Sequence, residues 1–319
     1  MSRSIVILAG GLSHERDVSL RSGRRVAEAL RAVGETVAVH DLDASLLVDL
    51  ANDPPDCVIP LLHGASGEDG SLRDVLECLG IPYVGSRPAA CRLSFDKMVA
   101  KAHVAGADLR TATAVALPHP TFRDLGADAV LDALVARIGL PMVVKPTRGG
   151  SALGVAIVSD VADLPAAMVG CFSYADTAML ETHQGGTEVA VTVLEDADGT
   201  VRALPAVEIV PDSGVYDYAS RYTAGTTEFF APARLDPAVA EACARAAVTA
   251  HVSLGLRHLS RADLIVGPDG VVTFLEVNVA PGCTETSLLP QAVEAAGLDL
   301  GNVFQVLVER ALAPATESA

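Results

Sequence analysis

The chain has 319 residues, no tryptophan and only 4% aromatic residues, although half of it is hydrophobic. Its core must therefore be built from Ala, Val and Leu. No basic block offsets a formal charge of −17 and a pI near 4.7, which argues against a nucleic-acid partner. An anionic ligand would have to be held by a few placed cations. Cys57, Cys78, Cys91, Cys171, Cys243 and Cys283 are scattered, without a C-x-x-C pair or a histidine at metal spacing, so the expectation is buried, reduced thiols in a cytoplasmic protein. The apolar run Ile5 to Ala9 is shorter than a signal-peptide core, and no other apolar run is long enough to cross a bilayer, so no membrane partner is expected. There is no G-K-[ST] Walker ending and no G-x-G-x-x-G after the first strand. Repeats and low-complexity tracts are also absent, and only the tail Pro314 to Ala319 reads as frayed.

What is present suits two or three packed α/β units. Up to about Ser86, short apolar runs (Ile5 to Leu8, Val37 to His40, Cys57 to Leu62) alternate with helical periods, which predicts a parallel sheet with ligand loops at its carboxyl edge. Asp96-Lys97 opens a helix reaching Ala105. Met142 to Lys145 and Val155 to Val158 flank a glycine-rich loop, as in a small antiparallel lid. Further on come the strand Val189 to Leu194, a polar loop from Pro211 to Thr227, a helix from Pro237 to Ser253, a hairpin, and a closing helix to about Leu312. The divisions expected are 1–95 as a parallel substrate-binding domain, 96–180 as the lid, and 181–319 as the catalytic domain.

The hairpin is the most informative element. Its second strand ends Phe274-Leu275-Glu276-Val277-Asn278, and residues two apart on a strand share a face, so Glu276 and Asn278 can hold one hard cation. Arg261-Ala262-Asp263 precedes the apolar run Leu264 to Val266, and a turn at Gly267-Pro268-Asp269-Gly270 would pair Asp263 with Glu276. An oxygen-rich site for Mg²⁺ results.

Lys145 to Gly154 packs three glycines, Ser151 and two cations into ten residues, a composition that lets backbone N–H groups and a lysine approach a phosphate. Glu15, in the turn after the first strand, reads either as a helix-dipole partner or as a carboxylate receiving a substrate ammonium. His63 stands on the same edge. Glu68 and Asp69 after it read as the start of the next helix. Glu181 and Glu188 bracket Thr182 to Thr187, where a carboxylate can accept from a ribose and backbone groups can read an adenine edge. Tyr216 to Tyr222 holds three of the five tyrosines, as suits a lid that excludes water.

In this order the segments resemble the D-alanine–D-alanine ligases of the ATP-grasp superfamily, from about Ile5 to Leu312. The motifs that carry the resemblance are G-G-x-S-x-E-R-x-V-S-L-x-S-G at Gly10 to Gly23, H-G-x-x-G-E-D-G at His63 to Gly70, I-P-Y-x-G-S at Ile81 to Ser86, D-K-x-x-x-K at Asp96 to Lys101, and E-x-N-x-x-P-G-x-T-x-x-S-L-x-P at Glu276 to Pro290. The resemblance implies a three-domain α/β fold, α+β in parts, with ATP gripped between the central and C-terminal domains. It also implies two Mg²⁺ ions, with Mn²⁺ as an alternative, acyl-phosphate chemistry, amino-acid substrates and a homodimer. On the matching positions it assigns Lys97, Lys145 and Arg221 to the ATP phosphates, Glu181 and Glu188 to the adenosine end, and Asp263, Glu276 and Asn278 to the metals. Glu15, assisted by His63, would hold the first D-alanine's ammonium, with Ser151 and Tyr222 linking it to the lid. Arg261 and the Gly282 backbone would stabilise an oxyanion, and Ser287 and Leu288 would receive the second carboxylate.

Several residues depart from the family pattern. Arg221 replaces a lysine, Ala152 a serine, Arg73-Asp74 the usual Gln-Gly, and Thr182-His183-Gln184 a hydrophobic adenine gate; Val279-Ala280 and Cys283 stand in the metal loop in place of Thr and Met. None removes a catalytic group. The expectation is a ligase that joins two D-alanines for cell-wall synthesis. The alternatives are a ligase of the same mechanism for other amino acids, and a non-catalytic nucleotide sensor. The complete metal and oxyanion set speaks against the sensor, and Tyr222 against a D-lactate product.

Overall fold

The computed structural model describes residues 2–216, 220–221, 223 and 225–313. The alternation near the N-terminus folds as a parallel sheet of order β2-β1-β3, formed by Ser4–Leu8 (β1), Thr36–His40 (β2) and Cys57–Pro60 (β3). The helix Arg16–Ala32 makes the first crossover and Leu46–Asn52 the second, as parallel pairing requires. β1 is buried after Ser4, which is why it reads as a continuous apolar run. The helix Lys97–Ala105 starts where expected because the Asp96 side chain accepts from the Met98 and Val99 N–H groups.

The lid is a four-stranded antiparallel sheet of order β4-β7-β5-β6, from Ala114–Pro118 (β4), Met142–Pro146 (β5), Ala156–Val158 (β6) and Thr177–Thr182 (β7). The third sheet has order β11-β10-β8-β12-β13. Its strands are Thr187–Glu195 (β8), Val207–Pro211 (β10), Thr227–Phe230 (β11), Leu259–Val266 (β12) and Val272–Asn278 (β13), with Val201–Ala203 (β9) also paired to β8. The helices Pro237–Ser253 and Leu300–Leu312 lie where the periodicity put them.

Two apolar clusters pack on the third sheet, and the first of them joins it to the first sheet. One brings Ile5, Val26 and Leu30 against Leu194, Val207 and Phe304, and the other brings Cys91 and Val104 against Val191, Ala247 and Leu264. A separate cluster, including Phe122, Leu134, Val144 and Leu180, belongs to the lid sheet and its helices alone. The lid thus carries its own core, and the ties it makes at the cleft, described below, are polar. Five of the six cysteines are buried free thiols, but Cys78 is exposed at the end of the helix Ser71–Cys78, against expectation. Burial pushes the Cys57 and Cys283 thiols up to about 12, which makes them inert. Among the described residues no helix is long and apolar enough to cross a membrane.

Candidate active site

β12 and β13 pair with Asp263 opposite Glu276 and Arg261 opposite Asn278, the register read from the hairpin. A shift between Asp263 and Leu264 leaves Leu275 without a partner on β12. This bulge turns both Leu275 and Glu276 toward the same cleft. Arg261 donates from Nε and Nη2 to the two Asp263 carboxylate oxygens at 2.7 and 2.8 Å, and both side chains are buried. Asn278 Oδ1 accepts from the Ala280 N–H at 2.9 Å. Burial pushes the Glu276 carboxyl up, but Lys97, Lys145 and Arg221 more than reverse this and hold it at about 2. Lys97 Nζ stands 3.2 Å from Glu276.

The cleft between the lid sheet and the hairpin spans about 970 Å³ with its open mouth included, and Lys97, Lys145, Glu181, Glu188, Arg221, Asp263 and Glu276 all line it. Glu181, expected at the adenosine end, is the anion between two lysines. Lys145 Nζ is 2.6 Å from one oxygen and Lys101 Nζ 2.9 Å from the other. Burial opposes ionisation of Glu181, yet Lys145 and Lys101 keep its carboxyl below the usual range. Two cations on one carboxylate leave a surplus positive charge at this end of the cleft. Across the cleft the balance is reversed: burial, then Asp263 and Glu276, push the Glu188 carboxyl up to about 7 against the pull of Arg221.

A second pocket of about 560 Å³ adjoins the first. Glu15, His63, Ser151, Arg261, Asn278, Gly282, Ser287 and Leu288 surround it, and Tyr216 and Arg221 line both. The Ser151 hydroxyl donates to Glu15 Oε1, a short bond that ties the lid loop to the first sheet's edge. Ser151 and Ala152 hold left-handed φ values of 53° and 57°, a strained backbone for residues with a side chain. Lys97 secures the loop from the other side, donating from Nζ to Gly149 O at 2.7 Å and from its N–H to Thr147 O at 2.8 Å. His63 is buried and its Nε2 has no partner among the described residues. Burial lowers its pKa, and the Glu15 carboxylate works against that. Ser287 Oγ accepts from the Thr284 N–H at 2.9 Å, and Leu288 begins the helix Leu288–Ala295. The Arg221 guanidinium lies 4.3 Å above the Tyr216 ring. Tyr222 falls outside the described residues, as do Asp217, Tyr218 and Ala219.

Three further groups complete the site. Lys101 stands four residues after Lys97 in D-K-x-x-x-K, and that helical spacing could have indicated it as a second inward cation. Glu68 does not begin a helix. It ends the short helix Ala65–Glu68, is buried, and accepts from the Gly64 N–H at 2.9 Å. Burial and then Glu15 push its carboxyl up to about 8. The buried Arg73 donates to Gly67 O, and its Nη2 faces Gly85 so closely that an added Cβ there would stand 3.3 Å away. It is the departure that holds the His63 loop against the Ile81–Ser86 segment, while Asp74 pairs outward with Arg92 at 2.6 Å. No sequence signal marked Arg73 as buried.

A parallel sheet, an antiparallel lid and a third sheet that meet around a cation-lined cleft form the ATP-grasp fold. The chain belongs to the D-alanine–D-alanine ligase family. Residues 104–309 match the D-ala D-ala ligase C-terminus and residues 41–86 the D-ala D-ala ligase N-terminus. It is 43% identical over 310 residues to a D-alanine--D-alanine ligase of Anaeromyxobacter sp. (strain Fw109-5), covering 97% of this chain and 96% of that one. The corresponding protein of Moorella thermoacetica is 38% identical, with 97% and 99% covered. Among solved structures, the VanG D-Ala:D-Ser ligase from Enterococcus faecalis superposes with a TM-score of 0.83 at 27% identity, covering 98% and 100% of the two chains. The D-alanine--D-alanine ligase from Bacillus anthracis complexed with ATP gives 0.78 at 28% identity, with 98% and 97% covered.

Proposed function

We propose that the chain joins two D-alanines at the expense of ATP, giving D-alanyl-D-alanine, ADP and phosphate for peptidoglycan synthesis. The observation that carries this reading is the wall shared by the two pockets. Tyr216 and Arg221 line both, so a carboxylate held near Glu15 and a terminal phosphate held near Lys97 and Lys145 would face each other. In this reading the first D-alanine's ammonium rests on Glu15, which Ser151 orients and His63 supports. Its carboxylate takes the γ-phosphate of ATP, and the second D-alanine's amine then displaces that phosphate to form the peptide bond. Arg261 and the Gly282 N–H face the tetrahedral oxygen, and the start of the helix at Ser287 and Leu288 receives the second carboxylate.

Lys145 and Lys97 supply the charge for the phosphates, with Arg221 at the reacting end and Glu188 toward the ribose, while the buried Lys101 holds Glu181 from behind. Asp263, Glu276 and Asn278 fit a pair of Mg²⁺ ions. Their donors are hard oxygens on adjacent strands, and Asp263 stands opposite Glu276 in the pairing, with both carboxylates lining the cleft. Such ions, when bound with phosphate oxygens, would draw charge from the γ-phosphate. In this reading the chain divides into 1–95, 96–180 and 181–319; the core from Phe122 to Leu180 lets the lid sheet move as a body over a water-sensitive intermediate, while the helix Lys97–Ala105 stays packed on the third sheet.

The test is phosphate release from ATP across a panel of D- and L-amino acids, including D-serine, with product masses measured. D-alanine should give the highest kcat/KM and a D-alanyl-D-alanine mass. A higher kcat/KM for a different amino acid would overturn the substrate assignment.

A further inference from the structure

At the far end of the large cleft, Gln184 is folded back on its own chain. Its Nε2 lies 3.2 Å from Thr182 O and 3.4 Å from His183 O, so the carboxamide covers both carbonyls. The second carbonyl is open for a definite reason. His183 donates its N–H to Pro141 O across the sheet, and proline has no N–H to return. Gln184 also forms the wall between this cleft and another cavity, of about 680 Å³, beside Arg110, Asp269 and the hairpin turn. The next residue, Gly185, is exposed with nothing near its missing side chain. Gly186, at φ 146°, anchors the segment so closely on Val266 O that an added Cβ would stand 2.1 Å from it.

We propose that Gln184 is a gate on the base end of the nucleotide site, and hence a determinant of base specificity. With the gate in, its amide occupies the Thr182 and His183 carbonyls. With the gate out, turned into the cavity beside Arg110 and Asp269, the same carbonyls accept from the exocyclic amine of adenine. The amide therefore competes with the base for one pair of acceptors. A 6-oxo purine gains nothing from the outward position, because two carbonyl oxygens face its own oxygen. The Gln184 amide thus lowers affinity for ATP without lowering it for guanine nucleotides.

The proposal rests on the nucleotide reading of the cleft, and the experiment separates the two. Dissociation constants are measured by calorimetry, with displacement titration for the weaker ligand, for Mg²⁺ with the non-hydrolysable imido analogues of ATP and GTP. The proteins are the parent chain, Gln184→Leu and Gln184→Ala, each checked for unchanged thermal unfolding. Both variants should bind the adenine analogue about fivefold more tightly, the scale of one net hydrogen bond. Their affinity for the guanine analogue should not change. An equal gain for both bases would mean that packing on the purine face, rather than competition for the carbonyls, limits binding, and an absence of gain in Gln184→Ala would overturn the gate as well. A parent chain that binds neither analogue would instead overturn the nucleotide reading.

Discussion

Replacing Glu68 by Gln should stabilise the protein, and increasingly so as the pH rises. The carboxyl is buried beside Glu15 and is pushed from an ordinary 4.5 up to about 8. Below pH 4.5 it is protonated in both folded and unfolded chains and costs nothing. Between pH 4.5 and 8 the unfolded chain ionises it while the folded chain does not, so folding loses about 1.4 kcal/mol per pH unit. The loss is about 3 kcal/mol at pH 7 and levels off near about 5 kcal/mol above pH 8. Gln keeps an oxygen for the Gly64 N–H, which Glu68 now engages at 2.9 Å, and removes the ionisation. Urea unfolding of parent and variant from pH 5 to pH 9 measures the difference. A stability gap that does not widen with pH would refute the reasoning, because it would show that Glu68 ionises normally in the folded protein.

Ser151→Ala removes the hydrogen bond that orients Glu15, and should raise KM for the first D-alanine roughly tenfold while leaving KM for ATP within about twofold; equal effects on both would point to a general loosening of the loop. Lys101→Met leaves Glu181 with Lys145 alone and should destabilise the fold by about 3 kcal/mol in urea, so unchanged stability would mean that the buried triad is held by Lys145 only. Arg221→Ala removes the cation that lowers the Glu188 pKa, so carbon-13 NMR of the Glu188 carboxyl should show titration above about 7. Turnover should fall with it, and Arg221→Lys should restore most of the rate. Parent-like titration and rate in Arg221→Ala would place this side chain away from the cleft.

The elements that the sequence revealed are those whose burial pattern is written in one strand or one helix face. β12 is buried throughout and reads as an apolar run broken by Ser260 and by Arg261 and Asp263 of the site, and Pro237–Ser253 begins with Pro at its first turn. The pairing of Asp263 with Glu276 agrees with the hairpin reading, but a turn confined to Gly267–Gly270 would alone have set Phe274 opposite Asp263; the longer connection from Val266 to Val272 and the bulge at Leu275 supply the offset. β4, β9, β10 and β11 were not legible: they are three to five residues long, and β4 and β9 are only partly buried. Most site residues could be read because motifs fix them beside strand ends. The lysine pair on Glu181, the burial of Glu68 and the inward turn of Arg73 could not, since each depends on which side chain reaches a shared interior from a different element. The bulge at Leu275 likewise depends on the partner strand.

Phosphorylation of a carboxylate is the central claim, and oxygen-18 tests it directly. D-alanine labelled in both carboxylate oxygens is turned over with ATP and Mg²⁺, and the phosphate and dipeptide are examined by mass spectrometry. If the first carboxylate takes the γ-phosphate before the amine attacks, one labelled oxygen leaves with each phosphate. The dipeptide then keeps one label in its peptide carbonyl and two in its terminal carboxylate. Phosphate free of label, released together with dipeptide, would contradict the account.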